Sequence, residues 1–289
     1  MASTQVLKQR IRSVKNTKQI TKAMQLVAAS KMRRSQEATK ASAPYTFAAR
    51  DLLTAISRHT TVENHPLYRR RDIKTRLLIV IASDKGLAGA YNSNIIKLFL
   101  NELQKDVNIE VRNQTIAIGR KAAQFAARLN EANMIAYYED LPDRPTTETL
   151  HAILDTAIEK FQSGEVDAVD LIFTEFISSI RQEVKTVRLL PISFESTNGE
   201  KNQTDAIYEP GSKEVIKYLT YRLLGTQVFQ SLLEARASEY IMRMLAMKNA
   251  TDNATDLIDD LTLAMNKARQ GAITQELAEI SGGVEALNE

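Results

Sequence analysis

Helix-breaking residues are nearly absent from the two ends of this chain and crowd its middle. No glycine precedes Gly86, Pro44 is the only proline in the first 65 residues, and no proline follows Pro210. Proline costs a helix interior about 3 kcal/mol and glycine about 1 kcal/mol. Their scarcity permits one very long helix at each end. At about 1.5 Å per residue, residues 3–57 would extend roughly 80 Å and residues 212–281 roughly 105 Å. Two such rods on one chain can lie against each other, which suggests a mechanical part rather than a pocket.

The apolar pattern supports this reading. Leu7, Ile11 and Val14 recur at spacings of four and three, and Ile20, Met24 and Val27 continue the stripe, shifted around the helix. Small residues follow: Ala28, Ala29, Ser30, Ala38, Ala41 and Ala43. Near the other end Ala254, Ile258, Leu261, Met265, Ala268 and Ala272 alternate four and three, a heptad seam. From Ile216 to Leu245 the sequence is apolar around more of the circumference, as if packed on several sides. The polar run Lys248–Asp256 is unusual inside a helix, because Asn, Thr and Asp compete for backbone groups. It reads equally as a frayed or capped turn or as a surface that bonds neighbours without sticking.

Between the rods the period changes. Leu77–Ala82 reads as a strand buried on both faces. Strands at 115–118, 134–138, 169–177 and 183–189 alternate with helices at 94–105, 120–129 and 147–162, the last two strands forming an antiparallel hairpin. This alternation predicts a mostly parallel, Rossmann-like α/β domain. The expected organisation is a helix over 1–57, an α/β domain over 76–195, and a helix over 211–286 that pairs with the first. Residues 58–75 read as a polar connector.

Charge is uneven although the net value is only +3. Residues 1–50 carry Lys8, Arg10, Arg12, Lys15, Lys18, Lys22, Lys31, Arg33, Arg34, Lys40 and Arg50 against Glu37 alone, whereas after Arg269 every charged side chain is acidic. The cations go round the helix and no aromatics interleave with them, so acidic protein surfaces fit better than nucleic acid. A basic, amphipathic start also describes a mitochondrial presequence, but the pattern runs far past such a peptide and reads as mature structure. Cysteine is absent, which excludes disulfides and thiol chemistry. No apolar run reaches the 18 residues of a membrane helix.

The turn Ser83–Ser93 lies where doubly wound folds bind phosphate. It matches neither GxGxxG nor the Walker pattern, so it reads as a tight turn needing small residues. His59, His65 and His151 have no metal spacing and read as exposed. Asp256 and Asp260 share a helix face without partners and read as solvated. The alternative to a mechanical role is a nucleotide-binding α/β protein with helical interaction arms.

Several long motifs carry a family resemblance. Arg10–Met24 and Val27–Arg34 resemble the opening helix of gamma subunits of F-type ATP synthases, of the bacterial type. Ser83–Asn92 resembles that family's central-domain signature. Met247–Ala254, Asn266–Gln270 and Ile273–Glu279 followed by Gly283 resemble its C-terminal helix, with Val284 where alanine is usual. The resemblance implies a non-catalytic rotor shaft, an antiparallel coiled coil beside an α/β domain, that couples transmembrane proton or sodium flow to ATP synthesis. It implies no cofactor, no homo-oligomer and no contact with nucleic acid. Its implied partners are the ring of alpha and beta subunits, the epsilon subunit and the membrane c-ring. It places the chain peripherally at the cytoplasmic face of the membrane, touching it only through the c-ring. By the same resemblance Met24, Lys31, Arg33, Arg34, Arg269 and Gln270 face the beta subunits, while Tyr208 and Glu209 face the c-ring or epsilon. The plastid form of the family has an inserted cysteine pair for redox gating, which this chain lacks.

Overall fold

The computed structural model describes residues 4–59, 65–143, 145–192 and 212–287. The elements are α1 (Thr4–His59), a single 3-10 turn (Pro66–Tyr68), β1 (Thr75–Ile81), α2 (Tyr91–Asn108), β2 (Arg112–Ile118), α3 (Arg120–Ala126), a second 3-10 turn (Asn130–Ala132), β3 (Met134–Tyr138), α4 (Thr147–Ser163), β4 (Ala168–Phe176), β5 (Gln182–Leu190) and α5 (Ser212–Leu287). The chain divides into two compact units, residues 1–29 with 243–289, and residues 30–242.

The first unit is formed by segments of α1 and α5, which pack together. In this unit the seam of α1 runs through Leu7, Ile11, Val14, Lys18, Thr21, Gln25 and Ala28, with Met24 and Ala29 half-buried beside it. The seam is an unbroken four–three repeat, the period of a coiled coil. The expectation that Ile20 and Val27 continue the stripe is wrong: they are 61% and 58% exposed. A helix that changed face at Ile20 would lose its partner, so the seam keeps its register through the polar residues Lys18 and Thr21. On α5 the seam runs through Met247, Thr251, Ala254, Ile258, Leu261, Met265 and Ala268. The hydroxyls of Thr21 and Thr251 meet at 2.8 Å in the buried seam.

Ala272, expected in that seam, is exposed, as are all residues from 269 to 281. The register explains this. Thr4, the first described residue of α1, stands seventeen positions before Thr21, and seventeen positions beyond Thr251 is Ala268. In an antiparallel pair, described α1 ends level with Ala268 and α5 continues past it. The polar run Lys248–Asp256 is not frayed but lies within continuous helix. Thr251 donates to Met247 O at 2.7 Å and Thr255 to Thr251 O at 2.9 Å, so their hydroxyls bond backward along the helix without interrupting it.

The second unit is built on a five-stranded sheet of order β3-β2-β1-β4-β5, parallel except for the antiparallel β4–β5 hairpin. Its central strand is the apolar run around Leu77–Ile81, buried on both faces as expected. Leu78, Val80 and Ala117 pack under α2 and α3 through Tyr91, Ile95, Phe99 and Ala122. Leu77, Ile79, Ile81, Val169 and Leu171 pack under α4 and the first half of α5 through Ile153, Phe161, Leu224, Val228 and Leu232. This accounts for the broad apolar circumference of that half. The connector before β1 is not wholly polar, because Leu67 and Tyr68 enter the core and the Tyr68 hydroxyl meets Thr220 at 2.8 Å. His65 departs from the exposed reading. It is partly buried, accepts from Leu67 N at 3.3 Å, and stacks edge-on against Tyr68.

Below the sheet core lies a buried ionic cluster. Arg76 on β1 donates to Glu102 at 2.8 Å, to Asp106 at 3.1 Å and to Asp170, which also receives Arg188. The guanidinium thus ties β1 to α2 and β4, and Asp170 extends the cluster to Arg188 of β5.

Candidate partner-binding surfaces

The crevice at the carboxyl ends of β1 and β2 is already occupied by protein groups. The Asp84 carboxylate accepts from Arg120 N and Asp140 N, each at 3.1 Å, and pairs with Arg236 of α5 at 3.2 Å. A carboxylate of the protein therefore sits on the first amide of α3. Burial would raise the Asp84 carboxyl, but the two amides and Arg236 hold it below the usual carboxylate value. Asn92 locks the same turn by accepting from Ser83 N at 3.1 Å and donating to Ser83 Oγ at 2.8 Å. Gly119 closes it: a Cβ there would lie 2.2 Å from Ala82 O, and its φ is +92°. Within the motif Gly89 takes a positive φ of 57°, whereas Gly86 has open space around its Cβ position, and the acid Asp84 serves the protein itself.

The residues expected to face partners fall into distinct settings. Arg33 and Arg34 project into solvent, and so do Arg269 and Gln270, immediately past the end of the paired stretch. Met24 is half-buried beside the seam. Lys31 is engaged within the chain: its ammonium lies 3.2 Å from Asp143, 3.4 Å from the Tyr240 hydroxyl and 5.3 Å from the Tyr240 ring centre. Tyr208 and Glu209 lie outside the described residues.

Two exposed apolar stripes were not singled out in the sequence. One, on α1, is Ile20, Leu26 and Val27, left over when the seam is counted strictly from Leu7. The other, on α5, is Ile273, Leu277 and Ile280, spaced four and three but with no helix opposite among the described residues. Exposed apolar stripes of this kind are candidate interaction surfaces. Continuing the heptad past the point where α1 ends would have found the second.

Comparison with known proteins agrees with these features. The family model for ATP synthase matches residues 3–287. The ATP synthase gamma chain of Ralstonia nicotianae is 40% identical over 292 residues, covering 99% of this chain and all of that one. The gamma chain of Macrococcus caseolyticus is 40% identical over 288 residues with the same coverage. Among solved structures, the central stalk and c-ring of Tetrahymena thermophila mitochondrial ATP synthase contains a chain that is 25% identical with a TM-score of 0.61, covering 80% of this chain and 99% of that one. A chain of the Euglena gracilis mitochondrial enzyme shares the fold at 18% identity, with a TM-score of 0.68, covering 98% and 94%. Matched from end to end by bacterial gamma chains, this chain belongs to the ATP synthase gamma family.

Proposed function

We propose that the chain is the non-catalytic rotary shaft of an ATP synthase, coupling ion flow across a membrane to ATP synthesis. The observation that carries this reading is the exposed end of α5. Its apolar stripe, Ile273, Leu277 and Ile280, faces no other helix among the described residues, a surface suited to a surrounding collar. The relatives are gamma chains, and one solved relative comes from the central stalk and c-ring of an ATP synthase.

A shaft does work only if its profile is lopsided, so that each orientation favours a different conformation in each surrounding site. One flank carries Arg33 and Arg34, and the exposed end of α5 carries Arg269, Gln270 and the apolar stripe. The proposed contacts are Arg33, Arg34, Arg269, Gln270 and Met24 with acidic and loop elements of the beta subunits. Tyr208 and Glu209 are assigned to the c-ring or the epsilon subunit. No helix among the described residues is long and apolar enough to cross a membrane. Placement at the cytoplasmic face of the membrane therefore comes through these partners. ATP chemistry is assigned to the beta subunits, a division that fits the protein-filled crevice at Asp84.

Affinity purification of the tagged chain from native membranes tests the reading. Alpha, beta, epsilon and c subunits are expected to co-elute in an ATP-hydrolysing complex. A chain that elutes alone, with no affinity for alpha and beta, overturns it.

A further inference from the structure

The polar groups at the carboxyl edge of the sheet form a chain of directional contacts that ends on both long helices. Asp84, after β1, ties together the turns that follow β2 and β3 through Arg120 N and Asp140 N. Arg236 of α5 reaches Asp84 at 3.2 Å and Leu141 O at 3.1 Å, and Glu239 holds the guanidinium from the next turn at 2.9 Å. One turn further along α5, on the same face, the Tyr240 hydroxyl donates to Asp143 in the loop before α4. Lys31 of α1 closes the cluster on Asp143 and on the Tyr240 hydroxyl and ring. Arg236 and Asp84 are nearly buried, with 12% and 10% of their side-chain surface exposed.

We propose that Asp84, Asp143, Lys31, Arg236 and Tyr240 are a torque-bearing clamp that fixes α1 and α5 to the α/β body. The proposal rests on the shaft reading above and assigns Lys31 to the clamp rather than to a beta subunit. Interlocked apolar packing already resists rotation of a helix about its own axis, and directional contacts add to that restraint. Hydrogen bonds and ion pairs are directional, and these attach at the side-chain radius of each helix, roughly 5 Å from its axis. They therefore oppose twist with a lever arm. The clamp also binds α1 and α5 to the same loop through Asp143, so neither helix turns without the other. These are positioning residues; none touches a nucleotide.

The test uses the assembled complex in sealed vesicles and reads the ratio of ATP-driven ion transport to ATP hydrolysis. Lys31 and Asp143 are half-exposed, so their charges can be exchanged without burying an unpaired ion. K31E and D143K are each expected to lower the transport-to-hydrolysis ratio by about threefold to tenfold, the scale of a lost contact between coupled neighbours. The exchange K31E/D143K is expected to restore the ratio to within about twofold. Tyr240→Phe keeps the ring and removes only the hydroxyl, and serves where a charge variant fails to assemble; it is expected to lower the ratio in the same direction. An unchanged ratio in all single variants overturns the proposal, as does an exchange that remains as low as the singles. A complex that never forms with the unaltered chain instead defeats the shaft reading itself.

Discussion

Replacing Arg76 by methionine removes the centre of the buried ionic cluster. The side chain is 9% exposed and serves Glu102, Asp106 and Asp170. Asp170 keeps Arg188 and Glu102 keeps Lys105, so the loss falls on Asp106, which among the described residues forms its ion pair with Arg76. Breaking a buried pair from one side costs about 3–5 kcal/mol, because the remaining charge stays buried. Burial already raises the Asp106 carboxyl, with Arg76 opposing that rise, so removing the arginine raises it further. A carboxyl whose folded pKa lies above its unfolded value favours the folded state as it binds a proton. The Arg76→Met deficit is therefore largest at neutral pH and shrinks as pH falls through the raised pKa of Asp106. Urea unfolding of the purified full chain at pH 7 and pH 5, followed by circular dichroism, measures this. A deficit below about 1 kcal/mol at pH 7, the size of a surface pair, refutes the reasoning, as does a deficit that does not narrow at pH 5.

The seam register predicts that Ile11→Asn costs about 2 kcal/mol or more by burying an amide in an apolar contact, whereas Ile20→Asn changes stability by about 0.5 kcal/mol or less; equal losses in thermal unfolding contradict the register. Gly119→Ala combines left-handed strain of about 1–2 kcal/mol with overlap on Ala82 O, and is expected to lower the unfolding midpoint while Gly271→Ala, with open space around its Cβ position, does not. His65 is held below its usual pKa by burial and by the charge of Lys217, and its Nδ1 accepts from Leu67 N only when unprotonated. Its stability contribution is thus complete above the unfolded value of about 6.5 and is lost as pH falls through the lowered folded value. Lys217→Ala should raise the His65 pKa when followed by NMR, and an unmoved titration contradicts the assignment.

The centre of the sheet was legible because its strands carry short apolar runs, Leu77–Ile81 in β1 and Leu171–Phe173 in β4. Leu77–Ile81 could only be a strand covered on both faces, and the short link between residues 177 and 183 left only a hairpin. The long helices were legible from the scarcity of breakers. The seam was only partly legible. Lys18, Thr21 and Thr251 are polar, so an eye following apolar residues drifts to Ile20 and Val27, although strict counting from Leu7 holds the register. Leu67 and Tyr68 were hidden by Pro66 and the arginines beside them. The clamp was out of reach altogether: Asp84 and Arg236 stand 152 positions apart, and no local pattern connects them. The motif around Asp84 signalled itself through the family resemblance, while its physical role, an acid that staples three turns to α5, needed the coordinates.

Rotation itself is the most direct test. The chain has no cysteine, and Ile180, in the β4–β5 turn, is 95% exposed. An optical probe attached through Ile180→Cys, with the ATPase ring immobilised, reports the motion of this subunit alone. Unidirectional turning that starts on addition of ATP and stops when it is exhausted is the predicted result. A probe that stays still while the same complexes hydrolyse ATP contradicts the account.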